Sequence, residues 1–261
     1  MRSNATRGKL ASGEAVAGVI VPVAAPVLVD LAALAGFDFV LIDAEHGHLG
    51  FEAAEHLVRA AEAAGITPLA RASHNSPSEI LRLLDIGAQG VMAPHVSSAA
   101  DAEAAVRSVK FHPRGNRGLA GSRAADYGLT GSMEDSVAHA NRETMVLALI
   151  EDRRAVENLE AILAVDGIDV VFIGASDLAQ SMGYPGRPDH PEVRAAIDRI
   201  IDHGVAASRI VGVNAATAEA AASYYKRGVR FFCLSPWHQL VGVWRDYVTT
   251  LASQLAVDDG R

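Results

Sequence analysis

The chain has 261 residues, half of them apolar and 21% charged, and its 23 Lys+Arg against 31 Asp+Glu give a formal charge of −8. That composition supports a large buried core and excludes a disordered chain, and the acidic balance, with no Lys/Arg block, argues against a nucleic-acid or anionic-membrane surface. A single cysteine, Cys233, excludes an intrachain disulfide framework and an all-Cys zinc site; within Phe231-Phe232-Cys233-Leu234 it reads as a buried, inert thiol in a reducing, cytoplasmic compartment.

Arg2, Arg7 and Lys9 precede an uncharged stretch, Ala15–Val29, in the manner of a signal peptide. A membrane span needs about 20 apolar residues. This stretch is shorter, follows Glu14 and is interrupted by Pro22 and Pro26, so it reads as a buried strand followed by a helix. Val- and Ile-rich runs then recur, and the predicted strands are Ala15–Val23, Phe37–Asp43, Thr67–Arg71, Gly90–Val96, Thr144–Glu151, Asp169–Gly174, Arg209–Val213 and Arg230–Leu234. Their near-continuous apolarity predicts burial on both faces and hence a parallel sheet.

Helices are predicted at Phe51–Ala64 after Gly50, at Ser78–Leu84 opened by Ser76-Pro77, at Ser98–Val109 and at Arg153–Leu163. Eight β units alternating with helices point to a parallel (β/α)₈ TIM barrel, one domain over residues 1–261. In a doubly wound alternative a Gly-rich loop would follow the first strand; Pro22-Val23-Ala24-Ala25-Pro26 stands there, and no nicotinamide is expected. His112–Ser132 is the longest irregular stretch and carries Arg114, Arg117 and Arg123 among five glycines. It reads either as a solvated connector or as a lid or subunit contact aimed at an anion, with Arg123 a candidate interface residue. Along Trp237–Leu255, Trp237, Leu240, Val241, Trp244, Tyr247, Val248, Leu251 and Leu255 recur at helical spacing, as core or as a docking face.

In a parallel barrel reactive groups collect where the strands end. There the sequence puts Asp43-Ala44-Glu45-His46, Arg71, Pro94-His95, Glu151-Asp152 and Ser176-Asp177. A carboxylate after an apolar strand is costly to bury alone. Glu151 and Asp177, one βα repeat apart, either share a hard divalent cation, Mg²⁺ or Mn²⁺ before Zn²⁺, or cap the helices that follow them. For His46, beside Asp43 and Glu45, the alternatives are a proton relay and a hydrogen-bonded core histidine. For Arg71 they are a cationic fork for an oxyanion and a salt bridge to those acids. The three lysines, Lys9, Lys110 and Lys226, all lie away from strand ends, so neither a Schiff-base lysine nor pyridoxal phosphate is expected.

Phe39-Val-Leu-Ile-Asp43-Ala-Glu45-His46, Pro68-Leu-Ala-Arg71, Ile150-Glu151, Val171-Phe-Ile-Gly174-Ala-Ser-Asp177-Leu and Met182-Gly183-Tyr184 occur in this order. From about Gly18 to Leu234 the chain thereby resembles the HpcH/HpaI aldolase family, a likeness that spans a whole domain. The resemblance implies a (β/α)₈ barrel, usually hexameric, with a C-terminal helix exchanged between subunits. It implies a divalent metal (Mg²⁺, Mn²⁺ or Co²⁺) that holds pyruvate and its enolate while 4-hydroxy-2-oxo acids are reversibly cleaved to a 2-oxo acid and an aldehyde.

By position in that family, Glu151 and Asp177 match the metal ligands, Arg71 the arginine on the keto oxygen, and His46 the general base. Ser176 and the backbone of Gly174–Asp177 match the seat of the pyruvate carboxylate, and Asp43 and Glu45 stand beside the site. Asp85 matches an aspartate that raises the basicity of the histidine. It ends a helix, however, on the rim opposite His46, so that pairing would be easier across a subunit boundary. Leu149 stands where many members have Gln, and Gly174-Ala175-Ser176-Asp177 where many have Gly-Pro-Ala-Asp. Two residues before Glu151, Leu149 should face the substrate and alter the aldehyde range. The expected activity is a metal-dependent aldehyde-lyase. The alternatives are an acyl-CoA lyase of the citrate or malyl-CoA type and a non-catalytic 2-oxo-acid-binding protein.

Overall fold

A short helix, α1 (Ala5–Ala11), opens the chain, its first turn capped by the Asn4 side chain accepting from the Arg7 N–H. Then come β1 (Val16–Val21), α2 (Pro26–Leu34), β2 (Phe39–Asp43), α3 (Phe51–Ala64), β3 (Thr67–Arg71), α4 (Pro77–Asp85), β4 (Gly90–Ala93) and α5 (Ala99–Val109). After a 3₁₀ segment at Arg123–Gly128 follow α6 (Met133–Glu143), β5 (Met145–Ile150), α7 (Arg153–Glu157), α8 (Leu159–Leu163), β6 (Val170–Ile173) and α9 (Ala175–Ser181). The chain closes with α10 (Pro191–Ala206), β7 (Ile210–Asn214), α11 (Ala218–Lys226), β8 (Phe231–Leu234) and α12 (Pro236–Asp258). This is a computed structural model, and it describes residues 2–258.

The eight strands form a closed barrel in chain order, all parallel, with β8 pairing back onto β1. Helix starts follow local chemistry: Ser76, Ser98, Ser132, Asp152 and Thr217 each accept a backbone N–H at the head of α4, α5, α6, α7 and α11. Strand alternation sorts the core into two layers. Phe39 and Leu41 of β2 fill the barrel interior, while Val40 and Ile42 pack outward beneath the helices. Inside, Phe39 stacks on Phe231 at 4.4 Å, and Phe172 meets Phe231 edge-on at 6.0 Å. β1 carries Gly18 at this level because a Cβ there would lie 2.3 Å from the Phe39 ring. Leu10 of α1 joins the interior cluster and helps close the end where the strands begin.

One element differs from expectation, and two fall on one side of the alternatives that the sequence left open. The predicted helix Arg153–Leu163 is two helices, broken at Asn158 (φ −99°, ψ 14°), whose side-chain amide donates to the Ser97 carbonyl at 2.9 Å. The stretch after α5 is pinned to the rim where strands begin, so it is no lid over the strand ends. Arg117 donates to Asp85 Oδ1 at 2.7 Å and lies over the Phe111 ring, and Arg123 binds the Ile86 carbonyl at 2.9 Å and the Glu62 carboxylate. Finally, α12 leaves Trp237, Val241, Trp244, Tyr247, Val248, Leu251 and Leu255 exposed rather than in the core. A cavity of ≈ 300 Å³ lined by Ala17, Phe37, Ala215, Ala218 and Phe232 opens beside β1, β8 and α11. No described helix is long and apolar enough to cross a membrane.

Candidate active site

β2 and β3 run in register so that their last residues, Asp43 and Arg71, are Cα partners. Arg71 Nε donates to Asp43 Oδ1 at 2.9 Å and Nη2 to Oδ2 at 2.6 Å, a two-pronged contact that holds the guanidinium plane. Its Nη1 lies 3.2 Å from Glu45 Oε2. Burial works against the Asp43 anion, but the Arg71 bonds and the backbone N–H groups of Glu45 and His46 outweigh it and hold Asp43 below the usual carboxylate range. Burial likewise opposes the Arg71 charge, and the same carboxylates keep that charge in place. The salt bridge expected for Arg71 is therefore present, and it fixes the plane of the guanidinium.

Asp43 also accepts from the turn that carries His46, whose ring is more than half exposed and whose Nε2 lies 3.8 Å from Asp177 Oδ2. Asp177 is in the first turn of α9, after β6. Gly174 makes this junction possible, because a Cβ at 174 would lie 2.7 Å from the Glu151 Cβ and 3.3 Å from Leu149 Cδ1. Capping does not explain either acid. Asp152, not Glu151, accepts the Ala155 N–H at the head of α7, and α9 has no side-chain cap.

Glu151 is 3% exposed. Its Oε1 accepts from the His95 backbone N–H at 2.7 Å and faces His95 Nδ1 at 2.9 Å, while His95 Nε2 lies 3.4 Å from Glu45 Oε1. Burial, with the nearby charges of Glu45 and Asp177, pushes the Glu151 carboxyl up to about 7 against the pull of the His95 N–H. Glu45 is raised too, by burial, despite Arg71 and the neighbouring histidines. Glu45 Oε2 is buried and makes no hydrogen bond; its 3.2 Å approach to Arg71 is an ion contact only.

Negative charge is thus gathered here with too little cation to balance it. Glu45, His95 and Glu151 each offer one ligand atom, all within 4.8 Å of one another, and such a donor set fits a divalent cation. Asp177 stands outside that spacing, although its charge reaches Glu151. His95 is the site residue to which the sequence assigned no role. Its place after an apolar strand was a signal, but its left-handed backbone (φ 55°) was not legible.

Other expected residues fall elsewhere. Asp85 ends α4 on the rim where strands begin and is held by Arg117, so within one chain it does not pair with His46. Arg123 is likewise committed to Glu62 on that rim, so two of the three arginines of that loop, Arg117 and Arg123, are already paired away from the strand ends. Leu149 is 1% exposed and lies in the barrel interior one inward position below Glu151; Ser176 is exposed at the head of α9. Lys110 has the burial and lowered pKa, down to about 8, of a Schiff-base lysine. It follows α5 on the wrong rim, however, and its ammonium donates to the Thr144 and Asn141 carbonyls.

Residues 17–234 match the HpcH/HpaI aldolase/citrate lyase family. The chain belongs to this family. It is similar to a hydroxypyruvate/pyruvate aldolase of Pseudomonas aeruginosa, 38% identical over 228 residues that cover 87% of this chain and 85% of the relative. A 4-hydroxy-2-oxo-heptane-1,7-dioate aldolase of Klebsiella pneumoniae subsp. pneumoniae is 37% identical over 88% of this chain and 86% of its own. Among solved structures, an HpcH/HpaI aldolase/citrate lyase family protein from Burkholderia cenocepacia superposes with a TM-score of 0.90 at 30% identity, covering 96% of this chain and 100% of the other. As an HpcH/HpaI family member the protein is an aldolase/lyase enzyme, which sets aside the non-catalytic binding protein.

Proposed function

We propose that this enzyme reversibly cleaves 4-hydroxy-2-oxo acids to pyruvate, or a related 2-oxo acid, and an aldehyde. Glu151 and Asp177 hold a divalent cation in this reading. The observation that carries it is the braced Arg71 fork facing a buried, undercompensated carboxylate at the strand ends, on a chain of this family. When bound, the cation supplies Lewis acidity to the 2-oxo group. Arg71, fixed by Asp43 and Glu45, presents donors to the enolate oxygen without reorganising. His46, exposed at the mouth, takes the proton from the 4-hydroxyl as the C3–C4 bond breaks and returns it in condensation. Ser176 and the backbone of Gly174–Asp177 seat the carboxylate of the 2-oxo acid. Leu149 shapes the floor beneath them.

The test is deuterium exchange into the pyruvate methyl group, with and without chelator, followed by an aldehyde panel. Exchange that is lost on chelation and restored by Mg²⁺, Mn²⁺ or Co²⁺ supports the reading. Exchange indifferent to chelator, or a borohydride-trapped lysine adduct, overturns it. We further place the chain in the cytoplasm as a homo-oligomer, a hexamer by the family resemblance. The exposed apolar stripe of α12 and the apolar cavity beside β1 and β8 support assembly. The pairing of Arg117 and Arg123 on the opposite rim favours a free 2-oxo acid over an acyl-CoA substrate.

A further inference from the structure

We propose that Asn214 selects the 2-oxo acid this enzyme binds, favouring one that carries a hydroxyl on C3 over one with an apolar group there. The inference deepens the aldol reading above and rests on it. Along β7, Val211 and Val213 belong to the outer layer beneath the helices, while a Cβ at Gly212 would lie 2.7 Å from the Phe172 ring inside the barrel. Alternation therefore turns Asn214, the last residue of the strand, into the mouth above that aromatic floor. The residue is exposed, and its side chain has no hydrogen-bond partner among the described residues.

Ile150 pairs with Ile173 and Ile173 with Val213, so Glu151, Gly174 and Asn214 stand level at the ends of three successive strands. Two strand spacings put Asn214 about 10 Å from Glu151. Gly174 has no side chain to fill the space between them. The ionic groups gather on one side of the mouth, where Asp43 and Arg71 end β2 and β3 and Glu151 follows β5. A 2-oxo acid held by Arg71 at its keto oxygen, and by the turn at Gly174–Asp177 at its carboxylate, has one arm of its planar C2 left. That arm is C3, and because the three arms diverge it points to the sector of β7, β8 and β1. There β8 ends on Leu234 and β1 on Val21, so Asn214 is the polar strand-end residue of that sector. A carboxamide both donates and accepts, which matches a hydroxyl, and it carries no charge to compete for the cation.

The experiment compares hydroxypyruvate with 2-oxobutanoate, which carries a methyl of similar size in place of the hydroxyl, by deuterium exchange at C3 in Mn²⁺-loaded full-length protein. In Asn214→Leu the kcat/KM ratio of hydroxypyruvate over 2-oxobutanoate should fall about tenfold from the wild-type value, the worth of one neutral hydrogen bond. Asn214→Ala should lower the ratio in the same direction and serves as the second variant should Leu not fold. The intrinsic acidity of each C3–H cancels when variants are compared on the same pair of acids. A residue that merely packs the strand end would slow both acids alike and leave the ratio where it was. An unchanged ratio, a wild type that favours 2-oxobutanoate, or a wild type that exchanges pyruvate but neither substituted acid overturns this inference alone. A wild type that exchanges none of the three acids with any divalent cation overturns it together with the aldol reading.

Discussion

Asp43 and Arg71 end adjacent strands at the same height and are joined through both carboxylate oxygens, so the guanidinium that faces the site cannot rotate independently of the barrel. Arg71→Lys keeps the charge but has no fork to match Asp43. We expect kcat for cleavage and pyruvate methyl exchange to fall together by about 10²–10³, as when a preorganised oxyanion donor is lost. Steady-state kinetics of both reactions check this. Unchanged rates would reduce Arg71 to a structural partner of Asp43.

Leu149 is the inward neighbour of Glu151 along β5 and is sealed from solvent. Leucine offers no hydrogen bond, and a polar group forced against it would go unpaired at a cost of about 1–3 kcal/mol. Leu149→Gln is therefore expected to shift kcat/KM between a polar and an apolar aldehyde acceptor while leaving methyl exchange near wild type. An unchanged ratio would make Leu149 packing alone.

Lys110 gives a pH dependence of stability with a defined sign. Burial lowers it to about 8 in the folded protein from 10.5, against the pull of Asp169 and with Arg114 and Arg7 nearby. Between those values the unfolded chain holds the proton more tightly, so stability rises with pH through this window and the penalty is in full force below about 8. One proton limits the slope to about 1.4 kcal/mol per pH unit. Comparing urea unfolding of wild type and Lys110→Met from neutral pH upward should show the wild type gaining relative to the variant; parallel curves would contradict the burial effect.

The apolar face of α12 gives an assembly prediction. Truncation before Pro236 should lower the oligomeric mass seen by light scattering at micromolar concentration. A wild type that is already monomeric, or a truncated form of unchanged stoichiometry, would show that this face is not the contact.

The eight strands were legible because each is an apolar run bounded by turn residues, and the rim acids and Arg71 follow from where those runs end. Boundaries moved by one to three residues: Ala15–Val23 is shortened to Val16–Val21, where pairing with β2 and β8 stops, and Gly90–Val96 to Gly90–Ala93. What a one-dimensional pattern does not carry is the destination of long side chains. Arg117 and Arg123 were visible as charges, but that they turn to Asp85 and Glu62 depends on how α3 and α4 end on the far rim. The break at Asn158 depends on a carbonyl sixty-one positions away, at Ser97. His95 joins the site through a left-handed backbone turn, φ 55°, that an apolar run followed by Pro-His does not announce.

The pinning of the stretch after α5 has a mechanical consequence. Arg117–Asp85 and Arg123–Glu62 tie that stretch to α3 and α4 where the strands begin, while the groups proposed to meet substrate stand where they end. The two ends of the barrel can therefore diverge separately. Changes around Leu149, Ser176 or the turn at residues 44–50 can reshape the acceptor side without loosening either clamp. A lost clamp would free the loop at the far end and leave the Asp43–Arg71 fork in place.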